Sequence, residues 1–94
     1  MNNQINTNVQ SKNKLVEIFT TPVCHYCQVA KSWFAQNNIE YTQYDVTKDM
    51  VKRQELIDLG AMGVPLIRIS GGDLSSPEII NGFDEDKLTA LLIA

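Results

Sequence analysis

The chain is poor in metal-ligating side chains: of its 94 residues only Cys24, Cys27 and His25 are cysteine or histidine, and all three fall within one tetrapeptide. That set falls short of the usual four-ligand zinc site, so no metal is expected in a single copy. A cationic surplus is also missing. Eight Lys plus Arg stand against eleven Asp plus Glu, a net charge of -3, which argues against a phosphate-backbone binder and excludes nucleic acid as the expected partner. No apolar run approaches the roughly 20 residues of a membrane span, so no membrane partner is expected. The opening MNNQINTNVQSKNK lacks the apolar core of a signal peptide, and the expected compartment is therefore the cytosol. Thiols there are kept reduced, so a permanent disulfide staple would contribute little.

What is present suits one small globular domain: 44% of residues are hydrophobic and 20% charged, with no room for a second core. Residues 1–13 hold five Asn and two Gln, with Ile5 and Val9 as their aliphatic residues and no periodicity. They are expected to form a flexible leader, with the folded domain spanning 14–94. Leu15, Val16, Ile18 and Phe19 suit a strand buried on both faces. From Cys24 the apolar positions Cys27, Ala30 and Phe34, flanked by Val29 and Trp33, take helical spacing as far as Asn37 and Asn38. Trp33 and Phe34 are assigned to the core.

Ile39, Tyr41, Tyr44 and Val46 suit a second strand. Thr47 is the expected cap of a second helix, whose apolar side is formed by Val51, Leu56, Ile57 and Leu59 and which stops at Gly60. The stretch from Val64 to Ile69 alternates as a strand. Gly71-Gly72 opens a turn, with no helix after it to make a phosphate cradle, and Glu78-Ile79-Ile80 is the return strand. Asp84 caps a last helix with Leu88, Leu91 and Leu92 on one side. The fold class is α/β. The order β-α-β-α-β-β-α predicts a four-stranded mixed sheet with helices on both faces.

The pair Cys24 and Cys27 carries the chemistry. Three-residue spacing on a helix sets Cβ atoms about 5 to 6 Å apart, within reach of a disulfide after modest adjustment. Cys24 falls at the helix start, where unpaired N–H groups and the positive end of the dipole favour a thiolate. Its pKa is expected to drop from about 8.5 to between roughly 3.5 and 7.5. Cys27, one turn deeper and shielded, should stay a thiol. The expected roles are Cys24 as nucleophile on a substrate disulfide and Cys27 as the resolving thiol.

CHYC after TTP, then GVP before a strand and NGF before the last helix, resembles the glutaredoxin family over residues 14–94. The likeness is to small bacterial glutaredoxin-like proteins. It lies in Phe19-Thr20-Thr21-Pro22-Val23-Cys24, in Ala61-Met62-Gly63-Val64-Pro65-Leu66-Ile67 and in Asn81-Gly82-Phe83-Asp84. The resemblance implies a thioredoxin-like fold and a redox-active dithiol acting as a thiol-disulfide oxidoreductase on protein or glutathione mixed disulfides. It also implies a Val64-Pro65 peptide in cis beside the cysteines. Thr21, Tyr26, Val64, Pro65, Gly82, Phe83 and Asp84 are the implied substrate-binding set. Val64, pushed to extended geometry by the following proline, would offer its backbone to a substrate strand. Tyr26 would pack on a bound thiol or simply cover the helix end.

Three departures qualify what the family implies. Thr21 stands where glutathione-using members carry Lys or Arg. Asp84 and Glu85 follow the glycine turn where a hydroxyl and one acid are usual, and two carboxylates repel a glutathione carboxylate unless the helix N-terminus compensates. Gly82-Phe83 resembles instead the redoxins that take electrons from thioredoxin reductase and supply ribonucleotide reductase. His25 replaces a common proline. Protonated, it would modulate the Cys24 thiolate; neutral and exposed, it would do little. Members without that proline include carriers of a [2Fe-2S] cluster held between two copies with glutathione, which is the alternative function. For the oxidoreductase, no tightly bound cofactor is expected. Its expected partners are disulfide-containing proteins, with glutathione or thioredoxin reductase as electron donor, and the chain should act as a monomer.

Overall fold

The computed structural model describes residues 13–93. Apart from Asn13, the expected leader lies outside them. Strand β1 (Lys14–Thr20) is followed by helix α1 (His25–Gln36), strand β2 (Thr42–Asp45), helix α2 (Met50–Asp58), strands β3 (Leu66–Gly71) and β4 (Glu78–Asn81), and helix α3 (Glu85–Leu92). The sheet runs β2-β1-β3-β4. β1 and β2 are parallel, with Ile18 opposite Gln43, while β1 with β3 and β3 with β4 are antiparallel. This is the expected order and the expected mixed sheet.

Side chains alternate across the two central strands, and each face finds its own helices. On one face Val16, Ile18, Ile67, Ile69 and Ile80 pack with Ala30, Trp33 and Phe34 of α1 and Leu88 and Leu92 of α3. On the other, Phe19 and Leu66 pack with Val46 and with Leu56 of α2. Phe34 and Ile67 are fully buried, and each such side chain contributes about 1.5 to 3 kcal/mol relative to exposure. Among the described residues no helix is long and apolar enough to cross a membrane.

Helix ends follow the sequence chemistry. After α1, Asn38 takes φ 57°. Its N–H donates to the Ala35 carbonyl at 3.2 Å while the Ile39 N–H reaches back to the Phe34 carbonyl at 2.9 Å. That is a Schellman closure with Ile39 and Phe34 both in the core. Gly60, at φ 78°, closes α2 the same way through Ala61 and Leu56.

Four local expectations are corrected. The cap of α2 is Asp49, whose side chain accepts from the Lys52 N–H at 3.1 Å. Thr47 is instead held in the preceding turn, its N–H 2.9 Å from the Asp45 carboxylate. Val51 and Ile57 are exposed, at 72% and 58%, because the inward side of α2 is taken by Leu56 and by polar residues reaching a charge network. β2 covers only four residues, since Ile39 serves the α1 closure. β3 begins at Leu66, leaving Val64 and Pro65 in the loop before it.

That network lies under α2. Glu17, in the middle of β1, accepts from Arg68 Nε at 2.8 Å, from Arg68 Nη2 at 3.1 Å and from the Tyr44 hydroxyl at 2.6 Å. Glu55 of α2 lies 3.6 Å from Arg68 and 3.1 Å from Lys52 Nζ. The Arg68 hydrogen bonds hold the Glu17 carboxyl below the usual carboxylate range, against the opposing effect of burial and with help from Tyr44. The Tyr44 phenol is pushed up to about 12, chiefly by its hydrogen bond to Glu17. Sequence reasoning missed this pair. Its signal was a single charge inside each of two apolar strands, VEIF and LIRI.

Candidate active site

The buried strand β1 delivers the chain to the site through a tight turn. Pro22 takes its second position, and the Cys24 N–H donates to the Thr21 carbonyl at 3.4 Å. Cys24 is then the N-cap of α1, in extended conformation, with its Sγ accepting from the Cys27 N–H at 3.1 Å. The sequence places a sulfur where a hydroxyl or carboxylate normally caps a helix. No acidic residue occupies the first turn of α1. A thiolate at Cys24 would therefore face unpaired N–H groups without a competing anion.

Cys24 and Cys27 are joined in a disulfide, with their Cα atoms 5.2 Å apart. Cys27 is fully buried, whereas Cys24 is partly exposed. The two sulfurs are thus unequal in access, as their places on the helix led us to expect. Both described cysteines are in this bond.

The Val64-Pro65 peptide is cis, as the resemblance implied, and it lines one groove with Tyr26 of the Cys24–Cys27 stretch. Pro65 is buried and its carbonyl accepts from the Gly82 N–H at 2.8 Å, tying the loop before β3 to the loop before α3. Asn81, named from sequence only as part of the Asn81-Gly82-Phe83-Asp84 motif and given no role there, steadies the same junction: its side chain accepts from the Met62 N–H at 3.2 Å. Among the described residues, neither backbone polar group of Val64 has a hydrogen-bond partner.

A groove of about 360 Å³ brings together Tyr26, Val64, Pro65, Gly82 and Phe83, five of the residues singled out from sequence. Thr21 and Asp84 do not line it. Thr21 serves the turn through its carbonyl, and Asp84 caps α3, its Oδ1 accepting from the Lys87 N–H at 3.1 Å. His25 is exposed, its ring edge-on to Tyr26 with centroids 5.1 Å apart. Tyr26 in this groove is 62% exposed, and Met62, in the adjoining hollow with Val64, Pro65 and Gly82, is 88% exposed.

Among the described residues no group of three or more His, Cys, Asp or Glu could hold a metal ion. One copy offers the accessible Cys24 sulfur as a thiolate donor, so a cluster would need its other ligands from a second copy and from glutathione.

Known proteins place this geometry. The glutaredoxin family model matches residues 16–74. A glutaredoxin-like 8.6 kDa protein encoded in the rubredoxin operon of Clostridium pasteurianum is 32% identical over 79 residues, 83% of this chain and 97% of that protein. A thioredoxin-like protein of solved structure superposes with a TM-score of 0.70 at 32% identity, covering 82% of this chain and 99% of its own. NrdH-redoxin of Escherichia coli, a glutaredoxin-like protein with a thioredoxin-like activity profile, shares the fold at a TM-score of 0.69 and 22% identity, over 84% of this chain and 96% of that one. With its Cys24-Cys27 pair at the head of α1 and a thioredoxin-like sheet behind it, the chain belongs to the glutaredoxin family.

Proposed function

We propose that the chain is a thiol-disulfide oxidoreductase that reduces disulfides of protein substrates, working in the cytosol as a monomer. The observation that carries this reading is the inequality of the two sulfurs. Cys24 is partly exposed and caps a helix, while Cys27 is buried one turn behind it, 5.2 Å away at Cα.

In the reduced protein the Cys24 thiolate attacks one sulfur of the substrate disulfide, forming a mixed disulfide and releasing the first substrate thiol. The Cys27 thiol gives up its proton and attacks Cys24 Sγ. The second substrate thiol leaves, and the Cys24-Cys27 bond forms. Two electrons have passed to the substrate. Tyr26, Val64, Pro65, Gly82 and Phe83 shape the groove for the attacked chain, the Val64 backbone being free to pair with it, and His25 modulates the thiolate when protonated.

The oxidised dithiol must then be reduced by a donor. No Lys or Arg lines the grooves formed by Tyr26, Val64, Pro65, Gly82 and Phe83 or by Met62, Gly63 and Asn81. Thr21 stands in place of the family's usual cation. Glutathione, with two carboxylates, would meet no counter-charge there, which supports a thioredoxin reductase as donor. The same lack weakens the cluster-carrier reading, which needs glutathione as co-ligand.

The test is an NADPH-coupled disulfide reduction assay run in parallel with thioredoxin reductase and with glutathione plus its reductase. Turnover is expected with the first. Cys24→Ser should abolish it, and Cys27→Ser should accumulate a mixed disulfide visible by mass spectrometry. Comparable turnover by the Cys24→Ser protein would overturn the assignment.

A further inference from the structure

A second groove, of about 430 Å³, opens between α1 and the start of α3 and is lined by Gln28, Ser32, Gln36, Trp33, Phe83 and Glu85. It shares Phe83 with the groove that Tyr26, next to Cys27 in the chain, helps to line, so a substrate chain lying in that groove meets this one at Phe83. Gln28, Ser32 and Gln36, each four residues from the next, form one polar stripe along α1 that can meet a peptide backbone. Trp33 and Phe83, with ring centroids 6.3 Å apart, supply the aromatic wall.

The charge is one-sided. Among the described residues, Glu85 is the only charged side chain lining this groove, the groove of Tyr26 and Phe83, or the hollow of Met62 and Asn81. Glu85 is exposed, and no hydrogen bond or ion pair to its side chain is found among the described residues. Lys87, on the same helix, lines a different hollow with Glu78 and Leu91. A carboxylate beside aromatic rings, with no cation nearby, complements a guanidinium or ammonium group on an apolar stem.

We infer that this second groove binds a cationic side chain, arginine or lysine, close in sequence to the cysteine of the protein substrate, and that Glu85 sets the preference. The inference rests on the reading of the chain as a reductant of protein disulfides. It adds the charge class of the substrate's flank.

The experiment uses the prereduced protein in a single turnover. Disulfide-linked peptide homodimers carry Arg, Ala or Glu two positions before and two positions after the cysteine. Rate constants for thiol release give an Arg-to-Glu ratio, which is compared between native chain and variants so that intrinsic peptide reactivity cancels. Glu85→Gln should lower that ratio by about fivefold, as expected for losing one partly exposed ion pair with its aromatic contact, and Glu85→Lys should lower it further. Asp86→Asn removes the same charge one residue on, outside the lining, and should keep the ratio within about twofold. An unchanged ratio in Glu85→Gln, or an equal fall in Asp86→Asn, overturns the inference while leaving the oxidoreductase in place. Failure of the native chain to reduce any of the peptides overturns both, and is distinguished by the absence of thiol release altogether.

Discussion

Replacing Arg68 with methionine should be among the most damaging single changes outside the disulfide site. Arg68→Met keeps the length and apolar stem of the side chain but strips two hydrogen bonds from the Glu17 carboxylate, which is 8% exposed and keeps only the Tyr44 hydroxyl. Breaking a buried pair by removing one partner costs about 3 to 5 kcal/mol. Arg68 itself is 19% exposed, so some water reaches the carboxylate and the lower end, about 3 kcal/mol, is the expected loss. Urea unfolding of the oxidised protein at pH 7 reads this directly. With a slope of about 1 to 3 kcal/mol per molar, the midpoint should fall by roughly 1 to 3 M. A carboxyl whose folded pKa lies below its ordinary 4.5 contributes stability that is present above that value and is lost as pH falls through the folded one. The penalty for Arg68→Met should accordingly shrink in unfolding curves as pH falls below 4.5. The double variant Glu17→Leu with Arg68→Met should recover most of the loss, because no buried charge is left alone. A loss under about 1 kcal/mol at pH 7, or a double variant no better than Arg68→Met, would refute this account of the network.

The Tyr44 phenol, pushed up to about 12 from 10.0, contributes stability that is fully present below pH 10 and is lost as pH rises through 12. Ultraviolet titration should show a late tyrosinate step near 12 that disappears in Tyr44→Phe, and persistence of the step in that variant would disprove the assignment. Lys14, with 5% side-chain exposure, donates from Nζ to the Leu91 carbonyl at 2.7 Å, so Lys14→Met should cost about 1 to 2 kcal/mol in the same urea assay.

The sequence disclosed most where one kind of physics dominated. The strand bearing Val16, Ile18 and Phe19 was legible because burial on both faces leaves an apolar run broken only by Glu17. The last helix was legible because Asp84 and the leucines at 88, 91 and 92 agree on one frame. Where two local interactions competed, the winner could not be read. Thr47 and Asp49 are both good caps, and Asp45, by claiming Thr47, decided between them. Val51 and Ile57 read as apolar neighbours of Leu56, yet α2 turns its polar residues inward because Glu17 and Arg68 lie beneath it. That requires knowing which strands pair. At the site, Cys24, Cys27 and the groove residues from Tyr26 to Phe83 came from short motifs. Asn81 and Glu85 were visible in or beside those motifs, but the partners that give them their place, the Met62 N–H and the groove along α1, lie far off in the chain and local patterns do not reveal them.

The three helix N-termini show how the chain separates stability from chemistry. α2 and α3 are capped by the carboxylates of Asp49 and Asp84, and α3 adds Glu85 and Asp86 in its first turn. Both dipoles are thereby answered by permanent negative charge. α1 is capped by sulfur and has no acidic residue in its first turn. In the disulfide state that cap is neutral, so the Cys27 N–H donates to a weak acceptor and the helix start is incompletely answered. Reduction followed by loss of the Cys24 proton places a negative charge on the same atom, in line with the same N–H, and the interaction strengthens. The electrostatic gain therefore belongs to the reduced, attacking form alone. A carboxylate added to the first turn of α1 would answer the dipole in every state and oppose the thiolate, which gives a physical reason for the absence of Asp and Glu from His25-Tyr26-Cys27.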